Sequence, residues 1–543
     1  MKVARYSALA VAAAVAALSG VACFLLSPWW TPVAVLSGVL TLQGVYDLCQ
    51  REHAILRSYP LLGHFRFWLE HFRPAIRQYF AESNVNGTPF PRDVRAVVYQ
   101  RAKGVPAEKA FGTERSVYDS GHEFFATSMA PVPVPAKPPT VRVGGPACAH
   151  PYDMPLLNVS AMSFGALSGQ AVQALGEGAR AGGFAQDTGE GGLSRHHFAG
   201  GADLIWQIGT GYFGCRTPDG AFDPHGFAVT AAREQVKCIL LKLSQGAKPS
   251  MGGVLPGAKV NAEIARTRGV PQGKTVISPP AHPSCSTPRE LVRFVARLRT
   301  LSGGKPIGIK LCVGSRLQFL ALCKAMVEEG SAPDFIVVDG AEGGTGAAPL
   351  EFADAMGLPL TDGLTTVHNA LVGCGLRDQV KIGASGKIAT GSDIVARLVQ
   401  GADFTNSARA MMLALGCIQA QQCHTNACPS GVATQDPLRA RALHVGDKAA
   451  RIRRFQESTV RSAQHVMAAL GASTAADLRP AMLRRRLPDG LSRGYDELYE
   501  WPDEGSLLTA PPSGWAYDWD RADPDSFAPR TSWDPKRSTV PST

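Results

Sequence analysis

The chain has 543 residues, 45% of them hydrophobic and 18% charged, with 57 glycines; that balance excludes a chain disordered throughout and excludes a coiled coil. Its 55 Lys and Arg against 45 Asp and Glu leave a formal charge of +10, too small an excess at this size to predict nucleic acid as a partner but suited to an acidic protein or to anionic lipid. Twelve cysteines are scattered along the chain without the spacing of a secreted disulfide framework.

Residues 6–26 carry no charge and suffice, as a helix, to cross a hydrocarbon core about 30 Å thick. Ser27-Pro28-Trp29-Trp30-Thr31-Pro32 breaks the run, and paired tryptophans suit a membrane interface. A second apolar stretch comes over 30–47, with Val33 to Tyr46 as its body and Thr41 and Gln43 within it. Lys2 and Arg5 precede the pair, while Arg51, Arg57, Arg66, Arg73 and Arg77 follow it. Basic residues on both outer flanks predict a transmembrane helical hairpin over 1–50 with both ends in the cytoplasm. A cleaved signal peptide competes, because Gly20-Val21-Ala22-Cys23 resembles a poor lipoprotein site. The run is longer than the roughly 7–15 residues of a signal h-region, and the second stretch also favours the hairpin.

Residues 51–150 read as a linking region packed on the barrel-forming body of the chain. From 151, short β-branched runs alternate with helical patterns. Strands are predicted at Leu157–Met162, Phe184–Asp187, Leu204–Ile208, Cys238–Leu243, Ile307–Leu311, Phe335–Asp339, Val380–Ala384 and Asp403–Asn406, with helices between them at 169–182 and 392–400. Thr287-Pro288-Arg289-Glu290 joins a capping box to proline at the first helical position and announces a helix over 288–301. Eight strands alternating with helices predict an α/β fold, a (β/α)8 TIM barrel, with a doubly wound open sheet as the competitor. Residues 439–471 look helical with basic outer faces, within a helical segment over 441–500. From 501 to 543, Pro, Ser, Asp and Trp dominate without periodicity, which predicts an irregular tail.

Glycines gather just past the late strands: Gly343-Gly344-Thr345-Gly346 after Val338-Asp339, and Gly383-Ala384-Ser385-Gly386-Lys387 after Val380, with Asn406-Ser407-Ala408-Arg409 after the last strand. Loops after strands seven and eight of such barrels hold phosphate on backbone N–H groups. One such loop is equally a plain turn; several at the same strand ends point to a phosphate-bearing cofactor. Cys417, Cys423 and Cys428 fall within twelve residues, with Pro429 directly after. Thiolates so close in a cytosolic domain point to a metal more than to a disulfide. Zinc asks for four ligands, and His424 adjoins Cys423 too closely for both to reach one tetrahedral ion comfortably. Three cysteines followed by proline suit an iron–sulfur cluster lacking one iron, and buried structural cysteines are the third reading. Lys242 and Lys310 sit in apolar strands and need an anion beside them. A carboxylate substrate, a reduced flavin, or an internal partner such as Asp339 would serve.

Together these residues resemble the FMN-binding synthase domain of glutamate synthases. The resemblance rests on Met162-Ser163-Phe164-Gly165-Ala166-Leu167-Ser168, Thr188-Gly189-Glu190-Gly191-Gly192, Gln245-Gly246-Ala247-Lys248-Pro249, Leu255-Pro256-Gly257, Ser278-Pro279-Pro280 and Gly343-Gly344-Thr345-Gly346-Ala347. It continues through Ala414-Leu415-Gly416-Cys417, Cys423-His424-Thr425-Asn426 and Cys428-Pro429 to Gly431-Val432-Ala433-Thr434-Gln435-Asp436-Pro437. It implies a barrel over 151–440 holding FMN beside a [3Fe-4S] cluster on Cys417, Cys423 and Cys428. In such enzymes electrons pass from cluster to FMN, and reduced FMN gives hydride to 2-iminoglutarate, yielding glutamate. The resemblance further implies FMN contacts from Met162, Ser163, Gln207, Lys310, Gly343, Gly344, Thr345, Gly346, Ser385, Gly386, Ser407 and Ala408. Lys242, Lys248 and Arg268 would hold the substrate carboxylates, and Lys310, Lys242 and Glu190 would be catalytic. Bidentate Arg and point-charge Lys suit a dicarboxylate.

Two positions depart from the family pattern. Val254 stands where Gly252-Gly253-Val254-Leu255-Pro256-Gly257 would carry glutamine, turning a polar substrate contact apolar, and Leu193 replaces an acidic residue after Gly191-Gly192. The chain begins Met1-Lys2-Val3 rather than with the cysteine nucleophile of the family's glutaminase, and neither a glycine-repeat β-helix nor a dinucleotide-binding motif is evident. The expectation is a stand-alone, glutamate-synthase-like oxidoreductase anchored in the cytoplasmic membrane, its catalytic domain facing the cytoplasm. An acidic electron carrier such as a ferredoxin would supply electrons, and free ammonia or a separate amidotransferase the nitrogen. A membrane-linked FMN amino-acid oxidoreductase or N-alkylglutamate-type synthase is the enzymatic alternative, motivated by Val254. A non-catalytic, membrane-tethered cluster-binding protein is the alternative of another class.

Overall fold

The structure, a computed structural model, describes residues 5–530. Lys2 and the end of the expected tail, 531–543, lie outside the described residues. The chain divides into two compact units between Gly87 and Thr88, so the expected linking region is not one piece: 51–87 belongs with the N-terminal helices and 88–150 with the body.

The first unit contains α1 (Ser7–Leu25), a 3-10 turn at Pro28–Trp30, α2 (Thr31–Cys49) and α3 (Leu62–Ile76). At 1.5 Å per residue, α1 and α2 are each about 28 Å long, and both are long and apolar enough to cross a membrane. α2 runs two residues past the stretch expected for it, and its hydroxyls fold back onto the helix. Ser37 donates to Val33 O at 2.6 Å and Thr41 to Ser37 O at 2.7 Å, so neither polar group needs an outside partner. Gly44 lets the two helices close on each other: a Cβ there would lie 2.6 Å from Leu9 Cδ1.

The second unit is built on a closed barrel of eight parallel strands: β1 (Leu157–Val159), β2 (Gln186–Asp187), β3 (Leu204–Ile208), β4 (Val236–Lys242), β5 (Ile307–Leu311), β6 (Phe335–Asp339), β7 (Lys381–Ser385) and β8 (Phe404–Ser407). All eight predicted strands are present, and β8 pairs with β1, closing the sheet that periodicity alone left open or closed. β1 stops at Val159 because residues 160–168 turn over the barrel mouth. The predicted helices stand at α4 (Gly169–Gly182), α5 (Pro288–Leu301) and α6 (Gly391–Val399), and the Thr287 side chain accepts from Glu290 N at 3.2 Å as the capping pattern foretold. α7 (Val445–Ala469) lies on α4, where Gly178 leaves room for Ile452: a Cβ on Gly178 would sit 2.7 Å from Ile452 Cβ.

Two features escape the sequence. A hairpin of Thr140–Val143 and Tyr152–Pro155 puts Val143 and Met154 into the barrel's interior cluster with Ile205, Leu240, Val337 and Phe404. Residues 501–530, expected to be irregular, instead carry helices Ser506–Thr509 and Ser513–Arg521. Leu507 and Trp515 are buried, and Asp518 pairs with Arg316 at 2.6 Å. A few large side chains anchor this segment where no periodic face exists to predict it.

Candidate active site

Along the barrel strands every second residue points inward, and toward the C-terminal ends the inward chemistry changes. Ile205, Leu240, Val337 and Phe404 fill the lower interior. Two residues further on, Gln207, Lys242, Asp339 and Asn406 face a cleft of about 650 Å³ at the mouth, the end where barrels place their chemistry. Pairing sets Lys310 opposite Lys242, and Ser385 opposite both Asp339 and Asn406. Every site residue singled out from the sequence lines this one cleft: Lys242, Lys248, Arg268, Glu190 and Lys310; the twelve positions from Met162 to Ala408 assigned to a cofactor; and Cys417, Cys423 and Cys428.

One end is cationic. Gly189 adopts φ +65° and a Cβ there would lie 2.6 Å from Ser163 N, so glycine is required for the turn that presents Glu190. Lys242 Nζ donates to Glu190 Oε1 at 2.7 Å and to Gln245 Oε1 at 3.0 Å. Burial works against the Glu190 carboxylate, yet the Lys242 ammonium, with Arg268 and Lys248 behind it, holds its pKa below the ordinary value. Lys310 lies 3.5 Å from Asp339, which also accepts from Gly246 N at 2.9 Å. Both strand lysines therefore have internal carboxylate partners. The long segment between β4 and β5 brings in two further cations. Among the described residues, Lys248 Nζ donates only to Gly252 O, at 2.8 Å, and Arg268 Nη2 only to Phe164 O at 3.1 Å and Ser163 Oγ at 3.4 Å. Among the described residues no carboxylate pairs with either, and Arg268 Nε is buried without a partner. Burial lowers the pKa of both, Arg268 to about 10. Val254, in a short strand paired with Ile277, lines the same end.

Across the cleft, the glycines past β6 meet the loops past β7 and β8. A Cβ on Gly344 would lie 2.9 Å from Arg409 Nη1, so the bare backbone is what admits that guanidinium. Asn406 Oδ1 is buried and unpartnered. The cysteine loop adjoins: a Cβ on Gly346 would lie 3.1 Å from Cys423 Cβ. Lys259 pins this loop, its amine donating to Cys423 O at 2.7 Å, Ala433 O at 2.9 Å and Ala166 O at 3.2 Å. Tyr99 Oη donates to Cys417 O at 2.7 Å. Gln419 and Asn426 hold left-handed backbone, φ +56° and +63°. Their side-chain oxygens accept from Phe90 N at 3.1 Å and Gln435 N at 2.7 Å, which fixes an otherwise costly loop shape. No three of His, Cys, Asp and Glu among the described residues converge on a single ion.

Sequence reasoning placed Asn406 and Arg409 in the loop after the last strand without giving either a role of its own, and it missed Asp187, which stands behind the cleft lining and bonds Gln207. Asp187, at the end of β2, accepts from Gly189 N at 2.9 Å and Gln207 Nε2 at 3.2 Å, and burial raises its pKa to about 6. The signal existed: each of Asp187 and Asn406 is a polar residue two past an inward apolar one on its strand or strand approach. Leu193, noted as a departure, packs against the core instead.

Residues 153–473 match the family described as a conserved region in glutamate synthase. The chain is 38% identical over 495 residues to a glutamate synthase large subunit-like protein, YerD, of Bacillus subtilis, spanning 84% of this chain and 94% of that one. Identity is 32% over 321 residues to an archaeal NADPH glutamate synthase of Archaeoglobus fulgidus, 59% of this chain and 60% of that one. It is 37% over 234 residues to a ferredoxin-dependent glutamate synthase of Antithamnion sp., 43% of this chain and 14% of that one.

Proposed function

The chain belongs to the glutamate synthase family, oxidoreductases acting on CH–NH2 donors, and on that premise we propose that it passes electrons through a [3Fe-4S] cluster and FMN to a 2-oxoglutarate-derived imine, forming glutamate. The observation that carries the substrate is the charge at the cationic end. Lys242, Lys248 and Arg268 face the single carboxylate of Glu190, a surplus of two that fits a dicarboxylate. Lys248 and Arg268 bind and orient the carboxylates, since their donors are otherwise under-used. Lys242 Nζ, oriented by its bond to Glu190, would donate to an imine nitrogen.

FMN fits the cleft on three counts: the glycines at 343–346 that admit no side chain beside Arg409, the unpartnered Asn406 Oδ1, and a volume of about 650 Å³ within the usual range for such ligands. Met162, Ser163, Gln207, Lys310, Ser385, Gly386, Ser407 and Ala408 would hold it together with those glycines, and Arg409 would face its phosphate. When bound, FMN supplies the hydride that converts imine to amine. Cys417, Cys423 and Cys428 suit a cluster rather than one ion, because each thiolate in a cluster takes its own iron and convergence on a point is not required. The excess of basic residues and the name of the Antithamnion relative support an acidic carrier such as a ferredoxin as electron donor. Nitrogen would come from free ammonia or a separate amidotransferase. α1 and α2 would form a hairpin in the cytoplasmic membrane with the barrel on the cytoplasmic side.

Val254 favours a second reading. Its apolar side chain beside Leu255 in the cleft would tolerate a substituent on the imine nitrogen, as in an N-alkylglutamate-type synthase or a membrane-linked amino-acid oxidoreductase. The test uses anaerobic, chemically reduced full-length protein and follows flavin absorbance. Rapid reoxidation on adding 2-oxoglutarate and ammonia, with glutamate formed, is the expected result. Reoxidation only when methylamine replaces ammonia would select the second reading, and purified protein carrying iron but no flavin would overturn both.

A further inference from the structure

We infer that α3 lies in the headgroup layer of an anionic bilayer as a third membrane-binding element, with its aromatic face toward the acyl chains. The inference rests on the reading of α1 and α2 as membrane spans. Leu62, Phe65, Leu69, Phe72 and Ile76 recur at helical spacing, with Trp68 beside them, and all six side chains are exposed, Phe65 by 61% and Trp68 by 56%. The opposite side of the helix is the one that touches its own unit. A Cβ on Gly63 would lie 2.8 Å from Leu56 Cδ2, the Phe67 ring stands 5.3 Å from that of His53, and His64 Nε2 bonds Asp47 Oδ1 at 2.9 Å. Asp47 also accepts from Leu61 N at 3.0 Å, which ties the start of α3 to the end of α2.

The occupant is indicated by the residues bordering the apolar face. At 100° per residue, Arg66, Arg73 and Arg77 fall along one edge of it, where long side chains can reach phosphate while the ring face stays in hydrocarbon. All three are exposed. Arg66 reaches Glu70 only at 4.0 Å, and Arg77 lies 3.2 Å from Glu82. Aromatic rings beside arginines suit the boundary between headgroup and acyl chain better than a protein groove of one shape. The span-ending bond from Asp47 delivers the helix to that depth.

The experiment reconstitutes the full chain into vesicles of phosphatidylcholine alone or mixed with phosphatidylglycerol, with lipids brominated near or far from the headgroup. The Trp68 contribution is the difference between the chain and its Trp68→Phe variant. Blue-shifted Trp68 emission, quenched more by shallow bromines than by deep ones, is the expected result. Arg66→Gln, Arg73→Gln and Arg77→Gln together should remove the extra quenching that phosphatidylglycerol produces. Trp68 unquenched by either lipid while the chain stays in the vesicle fraction would overturn the inference and leave the spans standing. A chain that does not enter vesicles at all would overturn both.

Discussion

Lys248 and Lys259 are the same residue type on the same insertion, buried to 1% and 2% exposure, and both face the same cleft. Lys259 saturates its three protons with three backbone carbonyls, whereas Lys248 has one. Burying an ammonium is costly unless it is well partnered, so the first amine is complete as it stands and the second is complete only with an anion in the cleft. The contrast separates a structural cation from a ligand-binding one without any appeal to kinship.

That contrast can be broken at either member. Lys259→Met should strand three carbonyls, and at ~1–3 kcal/mol for each unsatisfied buried group the loss of unfolding free energy should exceed roughly 3 kcal/mol. Thermal unfolding would show it; a neutral result would mean the carbonyls find other donors. Lys248→Met should leave stability nearly unchanged and weaken 2-oxoglutarate binding by about 100-fold, the order expected when one member of a buried charge pair is removed. Titration calorimetry would check it. Asp187 extends the comparison to a buried acid. Its pKa, raised by burial to about 6, means the folded state holds the proton more tightly than the unfolded chain. Its stabilising effect is thus fully present at acidic pH and is lost as pH rises from about 4 through about 6. Asp187→Asn should flatten that part of the stability–pH curve by roughly 3 kcal/mol at most. Arg268→Lys keeps the charge but loses the planar fork, and should cost only about 10-fold in KM for 2-oxoglutarate.

The barrel was legible because its strands are continuous apolar runs buried on both sides, and the bounds of Leu204–Ile208, Ile307–Leu311 and Phe335–Asp339 match residue for residue. Closure was not legible, since the pairing of β8 with β1 leaves no local mark. Residues near the mouth were legible where glycine or cysteine motifs flagged them. Arg409 and Asn406 were not assigned because their importance comes from register and from loops meeting in space. The partners of Lys242 and Lys310 divided similarly. Asp339 ends a predicted strand and could be guessed, while Glu190 reaches Lys242 only through the turn at Gly189. The hairpin at Thr140–Pro155 is plugged in from outside the alternating pattern, and no periodicity announced it.

The most direct test compares the binding of 2-oxoglutarate and 2-oxobutyrate, which differ by the second carboxylate, to full-length oxidised protein by calorimetry. A surplus of two positive charges at the cationic end predicts that 2-oxoglutarate binds at least ~10-fold more tightly, and that Lys248→Met abolishes the difference. Equal affinity for the two acids would contradict the assignment of that end to a dicarboxylate.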